Sequence, residues 1–225
     1  MTAIQQKTVG ILLFPEVEVL DFCGPFEVFS VTRLNENRRR EEPSPFRVLL
    51  IGDTAEPIPA AGGMRVLPEC TTTVCPALDI LLVPGGWGTR DQMNNARLID
   101  WIRQRAKKVE TLTSVCTGSL LLGQAGLLDG HRATTHFASL SLLHERFPKV
   151  TVVDNEHVVE EGNILTSAGI SAGIDLALRV VARYFGEPVA RNTARYMEYP
   201  YPESNARRVQ VSAGVTGPPA SGGLG

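Results

Sequence analysis

Apolar residues along this chain fall in short runs whose period changes from one to the next. Residues 8–14, TVGILLF, are apolar, rich in β-formers and closed by Pro15, so they predict a buried first strand. FRVLLIG (46–52) predicts a second strand, and VETLTSV (109–115) a later one. The strongest is LDILLVPGG (78–86), a continuous apolar run stopped by Pro-Gly-Gly. Such a run implies cover on both faces, as in a parallel sheet. Helical spacing separates these strands. It marks 19–34, with a start expected near Gly24-Pro25, and 96–108, whose basic end suits the negative pole of a helix dipole. It also marks 117–128, 171–186 with Ser171 as N-cap and Gly186 as stop, and 187–199. Residues 62–69 and 71–74 read as a short extended segment with a loop. Residues 150–168 alternate around Glu161-Gly162-Asn163 and predict an antiparallel hairpin or edge pair.

Strand and helix alternate, so the expected architecture is α/β: a doubly wound, mostly parallel sheet with helices on both faces and a small antiparallel hairpin. In such sheets a site lies at the carboxyl ends of the strands. One domain over 1–200 is expected. From about Pro200 the composition turns to Pro, Gly, Ser and Ala, so 201–225 reads as a flexible tail.

Charge and cysteines narrow the function. With 225 residues, 22 basic and 24 acidic, the chain lacks the basic excess of a nucleic-acid surface. The charged insertion at 33–45 mixes both signs and reads as a solvated loop; its role stays open. No apolar stretch is long enough to span a bilayer, and the N-terminus has no leader pattern. Cys23, Cys70, Cys75 and Cys116 show no metal-type spacing, so no metal is expected, and free thiols suit a reducing cytoplasm.

The chemistry concentrates in Ser114-Val115-Cys116-Thr117-Gly118. A sharp strand-to-helix turn crowds the positions two either side of its central residue, so these must be small, as Ser114 and Gly118 are. A thiol there meets the positive end of a helix dipole, which favours thiolate. The amide of Thr117 is a candidate donor to a developing anion, and Gly86 in VPGGWGT a second one. Against this stands packing, the commoner fate of a free cysteine and the reading for Cys70 and Cys75. Asp21 either caps the following helix or faces Cys116 and moves protons; Glu16 and Glu18 compete for that role. His136 is either an orienting base or a packing residue.

Four ordered motifs, ILLFPEVEVLDFCGPFEVF, DILLVPGGWGT, TSVCTGSLLLGQAGLLDGHRATTH and ILTSAGISAGIDLAL, resemble those of the DJ-one/PfpI superfamily, relatives of class I glutamine amidotransferases. The likeness covers roughly 8–198 and implies a flavodoxin-like, glutamine amidotransferase-like fold. Within that superfamily the chain looks most like the isonitrile hydratases. The resemblance implies a cofactor-independent homodimer whose cysteine, matched by Cys116, attacks an isonitrile. Asp21, in its Leu-Asp-x-x-Gly-Pro setting, matches the partner carboxylate, and Thr117 and Gly86 match the oxyanion positions. The protease-like branch carries histidine directly after its cysteine; here Thr117 stands there, which argues against peptidase activity. Cys23, close to Asp21, and the 33–45 insertion depart from the pattern.

Three rivals remain. The neighbourhood AGLLDGHRATTH also resembles the sensing half of AraC-type regulators, although the Gly/Pro-rich end leaves no room for a helix-turn-helix, so no nucleic-acid partner is expected. A cysteine-based redox or stress protein and a glyoxalase-like enzyme are the others.

Overall fold

The computed structural model describes residues 6–211. β1 (Lys7–Leu12) leads into α1 (Val19–Val31), and β2 (Phe46–Gly52) into the short pair β3 (Ile58–Pro59) and β4 (Arg65–Val66). β5 (Cys70–Thr71), β6 (Ile80–Val83), α2 (Thr89–Gln92) and α3 (Ala96–Ala106) follow. Next come β7 (Thr111–Ser114), α4 (Gly118–Gln124), β8 (Arg132–Ala133), α5 (Leu140–Arg146) and β9 (Thr151–Val152). The chain continues through β10 (Val158–Glu161), β11 (Ile164–Ser167), α6 (Ala172–Phe185) and α7 (Glu187–Tyr196).

The main sheet runs β10-β11-β7-β6-β1-β2-β5, and only the β10–β11 pair is antiparallel. β6, the most apolar run, lies at its centre. In β6 every residue is buried, because helices cover both faces. α1, α6 and α7 pack together on one face, and α3, α4 and α2 form the other layer. Gly24 permits the close approach of α1 and α6: a Cβ there would lie 2.9 Å from Ile174 Cγ1. Gly162, at φ 62°, turns β10 into β11, and Gly186, at φ 86°, stops α6, both where the sequence placed them. The glutamates of the 33–45 insertion are paired within it. Arg38 pairs with Glu41 and Glu42, Arg39 pairs with Glu36, and Arg33 donates to the Ser30 and Thr32 carbonyls at the end of α1.

Two expectations change. α1 begins at Val19, not near Gly24-Pro25, so Pro25 sits inside the helix and Asp21 in its first turn. Proline lacks the N–H that would bond to the Asp21 carbonyl. It is tolerated because the helix is held by burial, with Phe22, Val28 and Phe29 all in the core. The second concerns the tail. Residues 201–211 lie against the domain through Arg191–Glu203, Asn205 to Glu156 and Val158, and Arg207 to Thr135. The Gly/Pro-rich stretch 213–225 lies outside the described residues.

Candidate active site

Four connections meet at the carboxyl edge of the sheet: those after β1, β6, β7 and β11. Hydrogen bonds lace them together. Glu18 N–H donates to Gly85 O (3.0 Å), and Cys116 N–H donates to Ala168 O (3.1 Å). Cys116 sits between β7 and α4 at φ 56°, a left-handed conformation that costs a non-glycine residue energy. The turn holds because its neighbours leave no alternative. A Cβ on Gly118 would lie 2.1 Å from Val83 O and 2.8 Å from Pro84 O, both backbone atoms. Gly118→Ala should therefore destabilise the fold by about 2–3 kcal/mol despite alanine's better helix propensity, read as a lower urea midpoint.

Cys116 is only 6 % exposed, yet it lines a cavity of about 290 Å³ together with Thr117, Glu18, Trp87, Arg90, His136 and Ile170. Asp21 is fully buried beside it. Its Oδ2 accepts the Gly85 N–H at 2.8 Å, and its Oδ1 has no hydrogen-bond partner of ordinary geometry among the described residues. A Cβ on Gly85 would lie 2.9 Å from that Oδ2 and 2.5 Å from Thr117 N, so only glycine admits the contact. Burial pushes the Asp21 carboxyl up to about 7. The Gly85 amide opposes this, the charge of Glu18 adds to it, and the Cys116 thiol and Ile170 amide favour the ionised form.

Helix-terminus activation of the thiol is not what the structure shows. Burial pushes the Cys116 thiol up, and the Asp21 carboxylate pushes it further. The Thr117 and Ile170 amides pull the other way without prevailing. α4 is a single short helix whose dipole acts against full desolvation and an adjacent negative charge, and the larger effects win. The resting pair is thus a thiol beside a carboxyl that titrates near neutrality.

The remaining candidates fall on both sides of the cavity wall. The Gly86 amide donates to Thr117 Oγ1 at 3.0 Å, which occupies it and removes it as a second free donor. Thr89 Oγ1 donates to Gly86 O and fixes the same turn. His136 lines the cavity, but its Nδ1 accepts the Ala138 amide at 3.3 Å and no hydrogen bond joins it to Cys116. Burial lowers its pKa, with Arg207 adding to the effect. Glu18 is in the wall, whereas Glu16 is exposed and Cys23 does not line the cavity. Among the described residues no group of three or more His, Cys, Asp or Glu side chains is placed to hold a metal ion, and no helix is long and apolar enough to cross a membrane.

Ile170 was not legible. A β-branched residue at φ 57° has no sequence signal, yet its amide favours the ionised forms of both Cys116 and Asp21. A larger open groove of about 470 Å³ lies along α6 and α7, but its Arg179, Arg183 and Arg191 are already paired with Glu160, Glu187 and Glu203, and it holds no nucleophile.

Comparison with known proteins shows what the chain is similar to. The chain is 37 % identical over 192 residues to an isonitrile hydratase of Pseudomonas putida, covering 85 % of this chain and 78 % of that one. It is 30 % identical over 179 residues to the HTH-type transcriptional regulator CdhR of Pseudomonas aeruginosa, spanning 80 % of this chain but about half (51 %) of the regulator. A solved ThiJ/PfpI family protein from Pseudomonas syringae superposes with a TM-score of 0.76 at 28 % identity, covering 90 % of this chain and 79 % of that one. Drosophila melanogaster DJ-1beta, at 20 % identity and a TM-score of 0.71 over 87 % of this chain and 100 % of that one, shares the fold. With the family model matching residues 7–183, the chain belongs to the DJ-1/PfpI family.

Proposed function

We propose that this protein hydrates isonitriles to N-substituted formamides, with Cys116 as nucleophile and Asp21 as proton carrier. The observation that carries the reading is Cys116 lining a small cavity with the buried Asp21 carboxyl beside it and no histidine bonded to the sulfur. The 37 % identity to an isonitrile hydratase supports it.

The steps follow from the titration order. Asp21, its carboxyl pushed up to about 7 by burial, takes the Cys116 proton as the sulfur adds to the terminal carbon of R–N≡C. The same proton passes to that carbon and gives a thioformimidate, R–N=CH–S. Water then attacks the carbon, Asp21 accepts its proton and returns one to nitrogen. Collapse of the tetrahedral adduct forms the formyl group and expels the sulfur, which regains its proton. No net proton is consumed, and one water enters. The Thr117 amide, a donor to the sulfur, and the Ile170 amide stabilise the charge while it sits there. Trp87 and Ile170, 70 % and 37 % exposed, offer apolar surface to the substituent R.

The test is a panel of alkyl and aryl isonitriles assayed by formamide production; no turnover of any member would end this reading. Trp87 in the cavity wall, and Phe137 and Leu20 elsewhere, are exposed apolar side chains; such surface supports a homodimer, which sedimentation would measure. A second reading, ligand sensing, is favoured by the 30 % identity to CdhR. It would be supported if small molecules bind in the cavity equally well after Cys116→Ala while no isonitrile is consumed.

A further inference from the structure

The Ala168–Ser171 loop is a partition with a cavity on each side. Ile170 and His136 line both. Behind the loop, away from Cys116, lies a second cavity of about 250 Å³ lined also by Phe137, His157, Arg207 and Val209.

Its polar groups are incompletely paired. The His157 side chain is 8 % exposed; its Nε2 lies 3.1 Å from Asp175 Oδ2 but out of line for a hydrogen bond, and its Nδ1 has no partner among the described residues. Asp175 is already compensated, because Tyr199 donates to Oδ1 at 2.8 Å and Arg208 lies 2.6 Å from Oδ2. Arg207 is different. It donates to Thr134 Oγ1 and Thr135 O, but its buried Nε has no acceptor, and no carboxylate among the described residues comes within ion-pair distance. Asp154 acts on it only from further away. A partly buried guanidinium without a counter-ion is costly, and burial does lower its pKa. An anion in the cavity would offset that cost. The other walls, Phe137, Val209, Ala168 and Ile170, are apolar, and two of them are substantially exposed, Phe137 at 42 % and Val209 at 53 %. Hydrocarbon on the ligand would cover them.

We infer that this second cavity binds a small organic carboxylate, its oxygens meeting Arg207 and His157 and its apolar body lying against Phe137 and Val209. The volume suits a ligand smaller than the occupants of ordinary drug-sized pockets. This site stands independently of whatever reaction Cys116 performs.

Calorimetric titration of the full chain with benzoate, benzamide and inorganic phosphate tests it. Benzoate should bind one per chain, and both benzamide, which lacks the charge, and phosphate, which lacks the ring, should bind at least tenfold more weakly. Arg207→Gln should weaken benzoate at least tenfold. Because Arg207 also ties the C-terminal segment to the domain, Val209→Trp is the second variant. It fills the cavity from an exposed position and should weaken benzoate as much. Arg90→Gln, in the cavity of Cys116, should leave the affinity within twofold. Absence of benzoate binding, equal binding of benzamide, or tighter binding of phosphate would overturn the inference. So would loss in Arg90→Gln with retention in Val209→Trp, since benzoate would then occupy the other cavity.

Discussion

Cys116→Ala should lower isonitrile hydration by at least about 10⁴-fold, with the fold intact. The size follows from the mechanism: without the sulfur there is no thioformimidate, and only the cavity and its amide donors remain to assist direct attack by water. Alanine at 116 keeps the left-handed turn, and the cavity loses one buried sulfur, so near-native circular dichroism should accompany the loss. Single-turnover mass spectrometry adds a positive test. The wild-type protein should gain the mass of one isonitrile on the peptide bearing Cys116, and the variant should not. Unimpaired turnover in the variant would remove the covalent route.

Asp21→Asn should cut hydration by roughly 10²–10⁴-fold, the range of general acid–base contributions, and at the same time stabilise the protein at alkaline pH. The carboxyl ordinarily titrates near 3.8, and burial holds it near 7 in the folded state. A group whose folded pKa is raised contributes stability in its protonated form. That contribution is complete below about pH 4 and is lost as pH rises through 7. Above pH 7 the fold carries a buried carboxylate held by one good backbone hydrogen bond, with Oδ1 unpartnered. Neutral asparagine avoids that burden. At pH 8 the gain should be on the order of 2–4 kcal/mol, several degrees in Tm, and at pH 4 it should vanish. Thermal melts at both pH values decide the matter, and equal effects at the two would show that Asp21 is not held up by burial. For the wild type, the proposed role of ionised Asp21 as base predicts that kcat/KM rises through an acid limb near pH 7 and that Asp21→Asn abolishes that limb.

The strands were legible because their apolar runs are local and uninterrupted, as in Ile80–Val83. The turn at Cys116 was legible because small residues at 114 and 118 flank it, although part of the demand for Gly118 comes from the Val83 and Pro84 carbonyls of a distant strand end. The start of α1 was not. Gly24-Pro25 resembles a helix opening, but burial of Phe22 and contact with α6 extended the helix back to Val19 and rotated Asp21 under the sheet edge. The C-terminal segment misled for the same reason. Its composition speaks only of its own weak propensity, whereas Asn205 and Arg207 find partners about 50 to 70 residues away.

Alternating apolar runs and helical spacings determined by themselves that this chain forms a parallel sheet with its turns gathered at one edge, and that a cysteine stands in the tightest of them. Period and steric need are written in consecutive residues. Only the tertiary structure decided that burial raises the pKa of that cysteine, which amide was already taken, and that Ile170 lines two cavities. Those outcomes depend on desolvation and on hydrogen-bond partners brought together from separate connections, and neither quantity exists until the chain has closed.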